Sequence, residues 1–347
     1  MTDVRGRSDR EDAELHGQGE SGESRVPLVE LHTHLEGSLT PARFRALADR
    51  HGRSDLVPGC LDPAGEAFSF SGFHGFLDLY RRITSVMRTP ADFHGVALDL
   101  GEQLDADGVV YAEVSVSYGV LLKRGIDPVG VQEALAEAAA QVRQERGVAM
   151  AWLPDAVRQW GPEEGMKAWE AAGRCGRRLG VVGFGLGGDE TAGPAAGFAS
   201  LFAEVRREGL GVSIHAGEIP AMGPGGIDSV RQAVEVCGAH RIGHGLAAGA
   251  DPPTLALLAE RGICVEMCPG SNVKTGGIAA LEEHPLRRFL EAGVPCCLNT
   301  DDRTLFGLDL RSEYAAAESR LGLTPAERSV MMDQARRTAF GVVPGGA

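Results

Sequence analysis

Two histidines one residue apart, His32 and His34, close the mostly apolar run Val26-Pro-Leu-Val-Glu-Leu-His-Thr-His34. In an extended strand, residues i and i+2 point to the same face, so two imidazoles at this spacing make half of a metal site. The other half is available further along the chain. His215 in His215-Ala-Gly-Glu218, His244 in His244-Gly and the pair Asp301-Asp302 each follow a short apolar run. Three imidazoles and one carboxylate, His32, His34, His215 and Asp301, form a borderline-to-hard donor set suited to zinc, with iron, cobalt or manganese as alternatives. One divalent ion held there would lower the pKa of a bound water from about 15.7 towards 7.

The neighbouring residues suggest how such a water would be used. Glu218 lies on the turn after His215, within reach of the water or of a substrate nitrogen, and becomes a general acid if its pKa is raised. His244 closes the run His240-Arg-Ile-Gly-His244 and stands as a base or electrostatic partner beside one ion, or as a ligand of a second. Lysine bears on that choice. Two-metal barrels of this kind generally bridge their ions with a carboxylated lysine after the fourth strand, whereas the chain holds only Lys123, Lys167 and Lys274. A mononuclear site is therefore expected. Adjacent carboxylates at 301 and 302 must diverge, one towards the metal and one towards a ligand, while His240 opens its run and belongs at the opposite end.

Gly183-Phe-Gly185-Leu-Gly-Gly188 matches the dinucleotide fingerprint G-x-G-x-x-G, but Asp189 to Pro194 intervene before any helix opens, so that reading fails. Close backbone approach to a ligand is the better account of these glycines. The segment Phe73-His-Gly-Phe76-Leu77-Asp-Leu79-Tyr80 has an apolar face that reads as packing, with part of it available to line a pocket.

These residues need a frame, and the pattern supplies one. β-rich runs at 27–33, 109–115, 148–153, 180–186, 210–215, 240–243, 262–267 and 294–299 alternate with helical patterns from residue 129 onward. Eight strands with intervening helices predict a (β/α)8 barrel, whose active sites lie at the carboxyl ends of the strands. The polar clusters fall there. The long first connection, about 41–107, carries helical patterns of its own and is expected to form a lid; a last helix is expected near 325–339. Residues 26–341 are read as one domain, preceded by a polar tail, 1–25, expected to be disordered.

Composition excludes other classes. The 347 residues carry 48 acidic and 34 basic side chains, a formal charge of −14, which argues against nucleic acid as a partner. Seven cysteines without repeated spacing do not resemble a disulfide framework. A reduced cytoplasm is the expected setting, and no window approaches the roughly 20 apolar residues of a membrane span. The oligomeric state is left open.

Taken together and in order, Glu30-Leu-His-Thr-His-Leu-Glu-Gly37, Gly187-Gly-Asp-Glu190, His215-Ala-Gly-Glu218, Arg241-Ile-Gly-His-Gly245 and Asn299-Thr-Asp-Asp302 resemble the adenosine deaminase family of metal-dependent hydrolases over about residues 26–340. The resemblance implies a (β/α)8 barrel with a helical lid, a small purine nucleoside or base as substrate, and replacement of its 6-amino group by oxygen with release of ammonia. It implies that His32, His34, His215 and Asp301 bind the metal, that His244 takes a proton from the water, and that Glu218 protonates N1. Gly188 would hold N3 through its backbone, and Asp302, kept neutral by its surroundings, would donate to N7. Zinc deaminases built on H-x-E and P-C-x-x-C do not match, since the chain has Pro295-Cys-Cys.

Three positions depart from the family pattern. Glu36 stands where adenosine deaminases usually carry the Asp that helps to bind the ribose 5′-hydroxyl; the longer acid suits the branches acting on adenine or 6-aminodeoxyfutalosine. Gly185 replaces an Asp. Arg303 replaces a Pro, and is either a surface residue or, if it points into the mouth, a partner for an anionic substituent such as the benzoate of 6-aminodeoxyfutalosine. Adenosine or a close adenine nucleoside is the leading substrate. A protein that binds metal but has lost catalysis is the alternative from a different class.

Overall fold

The computed structural model describes residues 27–345; the polar tail 1–25 lies outside them. Eight parallel strands form one sheet in sequential order: β1 (Leu28–His34), β2 (Val109–Val116), β3 (Ala149–Val157), β4 (Gly183–Gly187), β5 (Gly211–Ala216), β6 (Arg241–His244), β7 (Cys264–Met267) and β8 (Cys296–Leu298). A bridge between Thr33 and Asp301 brings the end of β8 back to β1. Asp301 N donates to His32 O at 3.0 Å and His34 N to Asp301 O at 3.1 Å, closing the (β/α)8 barrel. The strands are buried along almost their whole length, as parallel strands covered on both faces must be.

Three helices fill the connection between β1 and β2: α1 (Pro41–Arg50), α2 (Gly72–Thr84) and α3 (Pro90–Asp107). They divide the expected lid. Phe76, Leu77 and Tyr80 of α2 face the cavity at the barrel mouth, whereas α3 packs against β2 and against α5 (Pro128–Arg146) in the outer ring. Between β2 and α5 lies the short α4 (Tyr118–Lys123). Local chemistry marks the helix ends. Asp127 caps α5 by accepting from Val129 N and Gly130 N, both at 3.1 Å, and Thr324 with Glu327 forms a capping box on the last helix, Pro325–Thr338.

The barrel interior is polar on one side. Arg241 Nη2 lies 2.6 Å from Glu113 Oε2, and its Nε donates to Glu266. Burial alone would raise the Glu266 carboxyl, yet Arg241 and His32 hold it down to about 2. This chain of charges ends at the active-site end of the barrel, on a histidine.

Arg303 takes neither position expected of it. It is 2 % exposed, and its guanidinium pairs with Glu30, at 3.5 Å, and with Asp107. Two buried acids, one on β1 and one at the end of α3, capture it, so it cannot meet a substrate carboxylate. His240 sits at the opposite end from the histidine cluster: its Nδ1 accepts from Val212 N, at the start of β5, at 3.0 Å. All seven cysteines are buried and free. Among the described residues no helix is long and apolar enough to cross a membrane.

Candidate active site

At the carboxyl ends of the strands lies a cavity of about 670 Å³, a volume suited to a small ligand, lined in part by His34, Gly188, His215, Glu218, His244, Asp301 and Asp302. His34 lines it, and His32, two residues earlier on the same strand, places its ring beside that of His34, with centroids 5.4 Å apart. The strand is irregular there. Its register against β2 shifts between Glu30 and Thr33, and Leu31 N and His32 N both donate to Asn299 Oδ1, at 2.8 and 3.1 Å.

One ligand atom from each of His32, His34, His215 and Asp301 lies within 4.8 Å of the others. His34 Nε2 is 3.2 Å from His215 Nε2 and 3.1 Å from Asp301 Oδ1, while the buried His32 Nε2 stands 3.4 Å from the same Asp301 oxygen without a well-formed hydrogen bond. Burial opposes charge on His32 and His34, yet Asp301 raises the pKa of both. Converging lone pairs, one orphaned nitrogen and a carboxylate that attracts positive charge are what a divalent cation requires. Glu266 Oε2 holds His32 Nδ1 at 2.7 Å, Leu186 O holds His215 Nδ1 at 3.2 Å, and Ser271 Oγ donates to Asp301 Oδ2 at 2.6 Å. Such outer contacts set the angle at which each donor meets an ion.

Beside this cluster, Glu218 Oε2 lies 3.9 Å from His244 Nε2. Burial and the nearby Asp301 push the Glu218 carboxyl up to about 8, so it holds a proton at neutral pH. Burial pushes His244 down to about 3, so its ring is neutral there. Burial, followed by the Asp301 charge, also raises Asp302 well above the ordinary carboxyl range, and its Oδ1 is unpartnered. His244 and Asp301 are the two non-glycine residues with positive φ among the described residues, 63° and 62°. Backbone in this region is costly for residues with side chains, and gathers where function holds it.

Two glycines make room for the cluster. A Cβ on Gly243 would sit 2.7 Å from His32 Cε1, and one on Gly37 would sit 1.9 Å from Asp302 Oδ1. Gly188 lines the cavity. Glu36 is not brought to its wall: the carboxyl is buried, and Oε1 accepts from Ser117 N at 3.0 Å.

Several contributors carried no signal of their own in the sequence. Glu190 belongs to a quoted motif, but only the fold shows that it accepts from the N–H groups of Gly217, Glu218 and Ile219 and so fixes the turn bearing the acid. Glu266 lies inside an apolar strand. Asn272, whose Nδ2 lies 3.2 Å from His244 Nδ1, belongs to the short helix Pro269–Lys274 that follows β7.

The model of the family described as adenosine deaminase matches residues 27–343. The chain belongs to the adenosine deaminase family. It is a hydrolase of carbon–nitrogen bonds in a metal-dependent family of deaminases. It is 39% identical over 302 residues to an aminodeoxyfutalosine deaminase of Acidothermus cellulolyticus, covering 86% of this chain and 84% of that protein. An adenine deaminase of Chelativorans sp. is 34% identical over 312 residues, 90% of this chain and 93% of that one. The crystal structure of an adenine deaminase from Arthrobacter aurescens superposes with a TM-score of 0.78 at 25% identity, over 91% of this chain and 94% of its own.

Proposed function

We propose that this member of the family hydrolyses the 6-amino group of adenosine or a closely related adenine nucleoside, with His32, His34, His215 and Asp301 as ligands of a single zinc ion. The observation that carries this reading is the proximity of the four-donor cluster to a carboxyl group, Glu218, that burial keeps protonated. A bound zinc ion would supply a water acidified towards pKa 7.

The chain's own residues do the rest. Glu218 delivers its proton to the ring nitrogen N1, which makes C6 electrophilic, and Glu190 fixes the turn from which it acts. His244 receives the proton of the attacking water at Nε2. That role requires the hydrogen on Nδ1, and hence the Asn272 amide turned so that its oxygen faces the ring. Asn272 Oδ1 has no partner as placed, which favours the turned amide. Gly188 offers its backbone to N3 and the protonated Asp302 donates to N7, while Phe76, Leu77 and Tyr80 of α2 line the cavity.

A second reading, aminodeoxyfutalosine as substrate, is favoured by the basic side of the mouth. Arg81, Lys123 and Arg124 line the cavity in a chain with only three lysines, and Arg303 is committed elsewhere. Ammonia release from adenosine, 2′-deoxyadenosine, adenine and aminodeoxyfutalosine tests both readings. The highest kcat/KM is expected for adenosine or its deoxy form. Preference for aminodeoxyfutalosine would install the second reading, and no turnover of any of the four by metal-loaded protein would sink the purine assignment.

A further inference from the structure

Among the described residues, five acids line the cavity: Asp78, Asp155, Glu218, Asp301 and Asp302. Four are accounted for. Asp301 belongs to the donor cluster, Glu218 and Asp302 meet N1 and N7 in the reading above, and the exposed Asp78 pairs with Arg81 at 2.8 Å. Asp155, near the end of β3, has no task in that chemistry. It is only 6 % exposed, and a buried carboxyl short of hydrogen-bond donors is costly to keep.

One serine sets its place. Ser117 Oγ donates to Asp155 Oδ1 at 3.0 Å, while the N–H of the same residue donates to Glu36 Oε1 at 3.0 Å. Ser117 thus holds Glu36 inside the wall and fixes Asp155 at the cavity surface with one oxygen engaged. The other, Oδ2, has no hydrogen bond among the described residues. It borders the cavity, since a Cβ on Gly187, itself a lining residue, would stand 3.8 Å from it. Strand pairing leaves the side chain its room. Gly185 is the register partner of Asp155, and a Cβ there would come within 3.3 Å of Asp155 Cβ, which accounts for glycine where the family pattern has Asp.

An adenine nucleoside has one set of donors left for such an oxygen. Glu218, Gly188 and Asp302 meet its ring nitrogens, and its 6-amino group is the one that leaves, so the hydroxyl groups of the sugar remain. We infer that Asp155 is a specificity-determining residue whose Oδ2 accepts a hydrogen bond from a sugar hydroxyl of the nucleoside. The inference rests on the nucleoside reading proposed above. A wall that offers a fixed, buried acceptor to a hydroxyl rejects the analogue lacking it, because the acceptor is then left unpaired.

The test pairs a deletion in the substrate with a deletion in the protein. Zinc-loaded full-length protein, wild type and Asp155→Ala, is assayed for ammonia release from adenosine, from its 2′-, 3′- and 5′-deoxy analogues and from adenine. In wild type, the analogue lacking the contacted hydroxyl is expected to lose about 10- to 100-fold in kcat/KM. In Asp155→Ala, adenosine should fall to the level of that analogue and the difference between the two should vanish, while adenine turnover and zinc content stay at wild-type values. Should Asp155→Ala not fold, Asp155→Asn, which keeps the shape and the bond from Ser117 but not the charge, replaces it, with the difference narrowed. An undiminished difference in the variant, an equal loss on adenine, or equal kcat/KM for adenosine and all three analogues in wild type would overturn the inference. Wild-type protein that turns over none of the nucleosides would instead overturn the nucleoside reading.

Discussion

Nε2 of His34 and Nε2 of His215 face each other at 3.2 Å across the head of the barrel, although 181 residues separate them. Neutral imidazoles cannot satisfy one another in this arrangement unless exactly one carries its hydrogen there, and Asp301 Oδ1 stands 3.1 Å from the first of them. A cation between these atoms resolves the conflict. Removing it should leave like-facing lone pairs in a buried site, so chelation is predicted to lower Tm and added zinc to restore it. At a free zinc concentration of about 1,000 Kd the stabilisation is about 4 kcal/mol. Superimposable melting curves with and without chelator would contradict this.

Replacing the acid should separate binding from chemistry. Glu218→Gln keeps the volume and the cavity but has no proton to give to N1, so kcat is predicted to fall about 10²- to 10⁴-fold while zinc content by elemental analysis stays at the wild-type level. Near-wild-type turnover would remove Glu218 from the acid role.

The pH profile should carry the same signature. Burial and Asp301 raise Glu218 to about 8, so the active, protonated form is complete below that pH and is lost as pH rises through it. A descending limb in kcat/KM with a midpoint near 8 is therefore expected, falling tenfold per pH unit beyond it. An unperturbed carboxyl would have lost its proton near pH 4.5; a flat profile up to pH 10 would rule this assignment out.

Glu266 links the metal end of the barrel to its interior. In Glu266→Gln the negative charge shared by Arg241 and His32 is gone, and one amide oxygen is left where two carboxylate oxygens served them, with an NH2 facing the other donor. Breaking a buried pair on one side costs about 3–5 kcal/mol, readable as a shift of the urea midpoint of metal-free protein. An unshifted midpoint would show that Glu113 alone satisfies Arg241.

Arg303 offers the converse test, a departure from the family pattern that serves structure. Arg303→Ala leaves Glu30 and Asp107 buried without their cation, and a loss of about 3–5 kcal/mol is predicted. The ratio of kcat/KM for aminodeoxyfutalosine over adenosine should not change, because the guanidinium lies outside the cavity wall. A selective loss on the charged substrate would return Arg303 to the mouth.

Much of this was legible along the chain, and for local reasons. Strand alternation requires His32 and His34 to share a face, apolar runs ending in His, Glu or Asp mark strand ends, and barrel topology gathers strand ends at one mouth, so the four donors that the fold brings together, and the carboxyl beside them, could be named before any coordinates. What surrounds them could not. Glu266, Asn272 and Glu190 act through contacts with residues on or beside other strands, and the partner of each is decided by register and barrel closure, not by spacing. Glu36 and Arg303 make the same point from the other side: each stands where substrate recognition was expected, but the backbone of Ser117 donates to the first and two buried acids hold the second. A residue's type limits the chemistry it can do; which neighbour satisfies its charge decides whether it does that chemistry, and that neighbour is chosen only when the chain folds.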